Sequence, residues 1–344
     1  MTKSKTFMDE IIEEFGDDVL ESTRVEFVIP TSSLAINVST GVGGIPRGRF
    51  THIYGPDASG KTTLGLDIAK NTLELGGRVL YLDVEQTLDR DLAKTVLGKL
   101  WKGDNFIVIL PDTAENSFIM AEKAIESKEF DVIILDSIGA LAPKEELEDD
   151  FGDAHYALVA RKLTTFFKRN AFKVRKTGVA FVFLNQVRAN IGSFFKDFEI
   201  PGGWALKHYA SINLSLFPFT SKKEKIKVSV DDKDVFIGNP IKFSVTKNKV
   251  GIPHRSGRFP IIWGKGIDPI RDIIGFATAL GVLVSRGPYK AFGEDTIGRG
   301  EVEIVKNLKK NKELLDKITK ECYNVANVVS RPYGEEETDG GKTD

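Results

Sequence analysis

Between residues 50 and 250 the chain alternates short, unbroken apolar runs with helical stretches. The runs are FTHIYG, RVLYLD, FIVIL, DVIILD, VAFVFLN and INLSLF, with helical stretches such as 62–74 and 118–127 between most of them. A strand that is apolar throughout must be covered on both faces. The pattern therefore predicts an α/β core around a mostly parallel central sheet. The 344 residues, 41% of them hydrophobic, suffice for one large domain or two with small appendages.

The flanks have a different texture. Met8, Ile11, Ile12, Phe15 and Val19 form a helical stripe, which predicts a short N-terminal helical arm over 1–35 ahead of a core over 36–268. Beyond 268, helices are expected at 270–280 and 302–323 around a loop rich in Gly and charge, PYKAFGEDTIGRG. These make a small C-terminal domain over 269–328. The last segment, 329–344, holds Glu335, Glu336, Glu337, Asp339 and Asp344 and almost nothing to bury, so an acidic disordered tail is expected.

Residues 55–63 read GPDASGKTT: Gly55, Pro56, Asp57, Ala58, Ser59, Gly60, Lys61, Thr62 and Thr63. They fit G-x-x-x-x-G-K-[ST] directly after an apolar strand and before a helix, the context in which that motif cradles phosphates. Backbone N–H groups and the helix N-terminus would face the anion. Lys61 would reach the terminal phosphates and Thr62 would ligate Mg²⁺. Downstream, VIILDS ends a strand in Asp136, a second metal carboxylate. VLYLDVEQTLD sets Glu85 just past another strand end, where a carboxylate orients and deprotonates an attacking water. Asp83 fits that role equally by residue type. VFLNQVR ends in Gln186, a neutral group able to sense a terminal phosphate, although a merely satisfied polar residue reads the same way.

Composition narrows the compartment and partners. A single cysteine, Cys322, rules out an intramolecular disulfide framework. No run reaches the length of a signal peptide or a membrane span, so a cytoplasmic protein without a membrane partner is expected. The net charge of -1 leaves any polyanion site to local segregation of charge.

Several motifs occur together in an order that resembles the bacterial and phage RecA recombinase family, from about residue 26 to the tail. TSSLAINVSTGVGGIPRGRFTHIYGPDASGKTT resembles the family's approach to its phosphate loop. LDVEQTLD resembles its catalytic glutamate segment. LDSIGALAPKEELEDDFGDAHYALVAR resembles its metal strand and first DNA loop, and FLNQVRANIGSFFKDFEIPGGWALKHYAS its glutamine sensor and second DNA loop. TKNKVGIP resembles its paired interface lysines.

The resemblance implies an ATP- and Mg²⁺-dependent recombinase that forms helical homo-oligomeric filaments on single-stranded DNA, pairs them with homologous double-stranded DNA and exchanges strands. It implies that Glu85 is the base, that Asp89 contacts the nucleoside and that Gln186 couples the nucleotide to the second loop. It also implies that Lys247 and Lys249 complete a neighbour's ATP site. Trp263 stands where the family has an aromatic near the base. The chain departs from the family at Leu92 and His208, where the family usually has aromatics, and at IPGG in the second loop. A hexameric helicase or ring motor on the same core is the alternative.

On the DNA side, residues 161–176 (RKLTTFFKRNAFKVRK) carry seven basic and no acidic side chains. Alone this reads as a solvated helix face; the flanking loops turn the reading towards phosphates. Arg161 and Lys168 share a helix face and, with Arg188, are the backbone-contact candidates. The stretch 190–203 is glycine-flanked and aromatic. Phe194 and Phe195 suit insertion between bases, with Gly202 and Gly203 at its end, while a flap packed on the core is the competing reading. His155, in the shorter loop, reads as a DNA-proximal polar residue. Lys306, Lys309 and Lys310 suggest a duplex-capturing surface that the acidic tail would compete for.

Overall fold

The computed structural model describes residues 10, 12–14, 25, 27–148, 156–189, 198–231, 233–330 and 332. The strands β1 (Val28–Ile29) and β2 (Ile45–Pro46) pair with each other and flank α1 (Leu34–Thr40). The Ser33 hydroxyl starts α1 by accepting from the N–H of Ile36, and Gly41 ends it at φ 79. The core then runs β3 (Phe50–Gly55), α2 (Lys61–Glu74), β4 (Val79–Asp83), α3 (Arg90–Leu97), β5 (Phe106–Ile109), α4 (Ala114–Ser127), β6 (Val132–Asp136), α5 (Lys144–Glu148), α6 (Tyr156–Thr177) and β7 (Ala180–Gln186). The ribbon of β8 (Arg188–Ala189) and β9 (Phe198–Glu199) leads to α7 (Gly203–Tyr209) and β10 (Ile212–Pro218).

All six apolar runs become parallel neighbours in the order β10-β3-β7-β6-β4-β5. Successive residues of β7 show why the runs lack polar alternation. Phe181 and Phe183 enter one buried cluster with Phe50, Phe166 and Phe167, while Val182 and Leu184 enter the other with Leu64, Tyr81 and Phe243. Helices α4 and α6 cover the first face, and α2 and α3 the second.

The sheet continues antiparallel past β10 through β12 (Lys233–Asn248), β13 (Ser256–Ile262) and β14 (Gly266–Ile267), with β11 (Ile226–Val230) on β12. The apolar-run pattern gave no sign of this extension, because these strands mix polar and apolar residues on a partly exposed edge.

The C-terminal part holds α8 (Pro269–Ala279), β15 (Val284–Arg286), β16 (Tyr289–Phe292), β17 (Asp295–Arg299), α9 (Gly300–Lys310) and α10 (Lys312–Val325). The expected loop PYKAFGEDTIGRG is instead the β16–β17 hairpin, which turns through Gly293 at φ 58. The expected single helix over 302–323 is two helices. The chain breaks at Asn311, whose side chain accepts from the N–H of Leu314 and caps α10. Cys322 is buried on α10 and its thiol is pushed up to about 12, chiefly by burial.

This part is fastened to the core through α1. Leu34 and Val38 share a cluster with Ile273, Leu308 and Ile318, and the boundary drawn at 35/36 falls inside α1. Two buried carboxylates clasp the turn before α1. Asp272 of α8 accepts from the Ser33 hydroxyl and the Ala35 N–H (3.0 and 3.1 Å), and Asp67 of α2 accepts from the Ser32 N–H (2.8 Å). Most of the N-terminal stripe lies outside the described residues, as does nearly all of the acidic tail.

Candidate functional site

The 55–60 turn joins the carboxyl end of β3 to α2. Gly60 precedes α2 at φ 84, and no side chain caps the helix. The first-turn N–H groups therefore remain available to an anion. The turn has no room for side chains at its glycines. A Cβ at Gly55 would lie 2.2 Å from the Leu216 carbonyl oxygen, and one at Gly60 would lie 2.5 Å from Ile261 Cδ1. The Ser59 hydroxyl is buried and has no hydrogen-bond partner among the described residues. Lys61 Nζ donates to the carbonyls of Gly55 and Pro56 (3.1 and 2.8 Å). Burial lowers its pKa, and Asp57, Asp136 and Glu85 oppose that shift. A cationic, glycine-hinged cradle with an orphaned hydroxyl fits phosphate.

Beside it, Thr62 Oγ1 and the Tyr81 hydroxyl both donate to Asp136 Oδ2, at 3.0 and 2.5 Å. Burial raises Asp136 to about 6, and the nearby charges of Glu85 and Asp83 add to the rise. A cation at this carboxylate would relieve that crowding. Among the described residues no group of three or more His, Cys, Asp or Glu could hold a metal alone. Thr62 and Asp136 fit an ion that takes its remaining ligands from phosphate and water, as Mg²⁺ does.

The geometry separates Asp83 from Glu85. Asp83 is buried and accepts from the N–H groups of Thr87 and Leu88 (3.3 and 3.1 Å), so its oxygens close the turn after β4. Glu85 is only half-buried. The Ser137 hydroxyl donates to its Oε1 and the Thr87 hydroxyl to its Oε2 (3.4 Å). The N–H groups of Val84 and Glu85 also bond to the Asp136 carbonyl, which ties the two strand ends together. Gln186 faces Gly55 in register across β3 and β7.

Asp89, expected at the nucleoside, caps α3 by accepting from Asp91 and Leu92 N–H (2.8 and 3.0 Å), while Leu92 packs on the core. Trp263 follows β13 and is 52% exposed, with Lys225 Nζ 5.6 Å from its ring centroid. Thr63 lies in the first turn of α2.

Three of the seven cations of the basic helix α6 are seen paired with carboxylates. Lys162 pairs with Glu115 and Glu145, Arg169 with Glu122, and Lys173 with Glu122 and Glu126. The solvated-face reading thus accounts for these residues. Arg161 and Lys168 are exposed, and among the described residues neither has an acidic partner. Arg188 pairs through its backbone with Glu199, which closes the stem of the second loop. Gly202 (φ 92) and Gly203 (φ 67) end that loop against Ile138, Leu163 and Ala160. His155, Phe194 and Phe195 lie outside the described residues. Lys306, Lys309 and Lys310 are exposed on α9.

Lys247 and Lys249 stand apart from their own cradle. Lys247 pairs with Asn213, which pairs with His52 near the amino end of β3, whereas the cradle begins after Gly55. At ~3.3 Å per residue that is ~10 Å along the strand. Lys247 Nζ donates to the carbonyls of Lys207 and His208, and Lys249 Nζ to that of His208 (3.1 Å). Burial, with help from Lys249, lowers Lys247 to about 8.

Sequence reasoning missed two further features of this region. The Asn185 side chain donates to the Pro201 carbonyl (2.8 Å), which pins the end of the second loop to the strand that carries Gln186. Trp204, at the start of α7, is 85% exposed. The GGWALKHY stretch held the second signal in plain view, an aromatic beside two glycines.

A glycine-hinged cradle after a strand, with a buried strand-end carboxylate and a half-buried glutamate beside it on a mostly parallel sheet, is the arrangement of a P-loop ATPase. The RecA N-terminal domain family model matches residues 2–268. Protein RecA of Geobacter sulfurreducens is 38% identical over 301 residues, covering 87% of this chain and 86% of that protein. Protein RecA of Thermus aquaticus is 36% identical over 311 residues (90% and 88%), and that of Aquifex aeolicus 35% over 324 (94% and 90%). The chain belongs to the RecA family of DNA-dependent ATPases that act in recombination and repair. The ring-motor alternative is not favoured. No helix among the described residues is long and apolar enough to cross a membrane.

Proposed function

We propose that this chain assembles with Mg²⁺ and ATP into helical filaments on single-stranded DNA, in the cytoplasm, and there pairs the strand with homologous duplex and exchanges strands. The observation that carries this reading is the register of Lys247 and Lys249. Two cations at the amino end of the sheet cannot reach a cradle at its carboxyl end, so they serve the ATP site of an adjoining protomer. A filament supplies such a neighbour at every step.

In this reading Gly55 to Thr63 wrap the phosphates, with Lys61 against the terminal ones, and Thr62 and Asp136 hold the metal. Magnesium, when bound, supplies neutralisation of phosphate charge. Glu85 holds and deprotonates the attacking water, oriented by the Ser137 and Thr87 hydroxyls. Gln186 meets the terminal phosphate and passes its presence to the second loop, which leaves the same strand end. Lys247 and Lys249 enter from the neighbour and stabilise charge only after assembly. Asp89 and Trp263 border the nucleoside. Arg161, Lys168 and Arg188 take backbone phosphates, with His155, Phe194, Phe195, Gly202 and Gly203 along the same path. Lys306, Lys309 and Lys310 capture duplex.

The α7 helix supports a link between the two sites. It begins at the end of the DNA loop, and its last carbonyls hold both lysines. Ordering of the loop on DNA would therefore be felt where the lysines are released.

Electron microscopy of the chain with single-stranded DNA and a non-hydrolysable ATP analogue tests the proposal. Helical filaments are expected; closed rings would refute it.

A further inference from the structure

The α7 helix exposes a large aromatic whose one ring contact among the described residues is with a lysine of the same helix. Trp204 is 85% exposed, while Leu206 on the opposite side of α7 is fully buried. Lys207, one turn on, holds its ammonium 5.5 Å from the centroid of the indole. Among the described residues no other aromatic ring contacts the indole, so its second face is open. A single exposed aromatic is ordinary on a folded surface; what sets this one apart is the ammonium held over one face of its ring and the basic side chains around it.

The surroundings indicate what does. Gly203, immediately before Trp204, abuts Ala160 of α6. Next to Ala160 is Arg161, which has no acidic partner among the described residues. One carboxylate, Glu146, lines the cleft bordered by Gly202 and Gly203. On α7 itself the exposed neighbours are Lys207 and His208. An aromatic with a lysine over one face and an exposed arginine next to the residue its glycine neighbour abuts is complementary to a polyanion that carries flat apolar rings, rather than to the apolar patch of another protein. Unpaired nucleobases have this chemistry. Bases inside a duplex do not offer their faces, so the occupant is single-stranded.

We propose that Trp204 is a nucleobase-stacking residue, with its open face against one base of the bound single strand and the Lys207 ammonium against the adjoining phosphate. This rests on the single-strand reading above and adds a base contact to it.

The test measures binding of a labelled thymidine oligonucleotide and of an abasic strand of equal length, both with a non-hydrolysable ATP analogue. Trp204→Ala should weaken binding of the thymidine strand by roughly five- to 150-fold, the range of one stacked base. Trp204→Phe should recover most of this loss. On the abasic strand Trp204→Ala and the unaltered chain should bind alike. Lys207→Ala should lower the slope of log affinity against log salt by about one, whereas Trp204→Ala should leave it unchanged. An equal loss on both strands, or none on either, overturns the assignment alone. So does a loss that instead tracks self-association of the DNA-free chain, because Trp204 would then be a contact between protomers. An unaltered chain that binds neither strand removes the single-strand reading and the assignment with it.

Discussion

Glu85→Gln isolates the chemical step from nucleotide binding. Glutamine keeps the length and shape of the side chain. Its remaining carbonyl can still accept from the Ser137 hydroxyl, and its amide can donate to the Thr87 hydroxyl, which both donates and accepts. No buried group loses its partner, so stability should change by no more than about 0.5 kcal/mol. Among the described residues Lys61 and Thr62 make their hydrogen bonds to other partners. The Glu85 charge is only the last of three carboxylates that favour the Lys61 ammonium, so the cradle should change little. Removing this charge also eases the crowding that raises Asp136, so metal and nucleotide binding should persist. What disappears, on the proposed assignment, is the base. A positioned general base contributes roughly 10²–10⁴ in rate, or about 3–5 kcal/mol of barrier. DNA-stimulated ATP hydrolysis should therefore fall by that factor while nucleotide-dependent DNA binding remains. Asp83→Asn is the control. Both of its oxygens accept backbone N–H groups, and an amide leaves one of them facing a donor, at a cost of about 1–3 kcal/mol. Its thermal midpoint should drop. Normal hydrolysis by Glu85→Gln, with hydrolysis lost in a still-folded Asp83→Asn, would refute the assignment of roles.

Lys61→Ala should abolish nucleotide binding, and Lys247→Ala with Lys249→Ala should abolish DNA-stimulated hydrolysis. Mixing the two inactive chains should restore part of the rate, because an intact cradle then meets intact lysines; a mixture as inactive as its parts would refute the trans site. Burial raises Asp67 to about 6 and Asp272 to about 7 from 3.8. An acid with a raised folded pKa binds its proton more tightly folded than unfolded. Stability from these two groups is thus present at low pH and lost as pH rises from about 4 to about 7. Thermal melts across that range should show the decline, and Asp272→Asn should flatten it; an unchanged profile would count against the clasp on the turn before α1. Removing residues 335–344 should speed duplex capture in a pairing assay, and an unchanged rate would leave the tail no part in it.

How much was legible in the sequence varied with how local the physics was. The unbroken apolar runs determined the six parallel strands, because a strand buried on both faces has no place for polar alternation. GPDASGKTT determined the glycine-hinged turn into α2, because its glycines let backbone N–H groups at a helix N-terminus face an anion. Asn311 and the 293–294 turn also acted locally, yet a helical period that continued past the first, and a charge-rich stretch around the second, hid a helix break and a hairpin.

Choices between chemically equal residues belonged to the tertiary structure. Asp83 and Glu85 are two carboxylates on one strand end, and only the folded turn uses up the first and leaves the second facing the site. The cations of α6 look alike in sequence; helix α4, about 40 residues earlier in the chain, neutralises some, while Arg161 and Lys168 have no acidic partner among the described residues. The distance of Lys247 and Lys249 from their own cradle follows from antiparallel pairing of β10 with β12, which carries the chain back to the amino edge of the sheet. Composition and local pattern set which groups a chain possesses and which elements they ride on. Which of those groups remain unpaired, and which way they face, depends on partners distant in sequence, and folding alone brings these together.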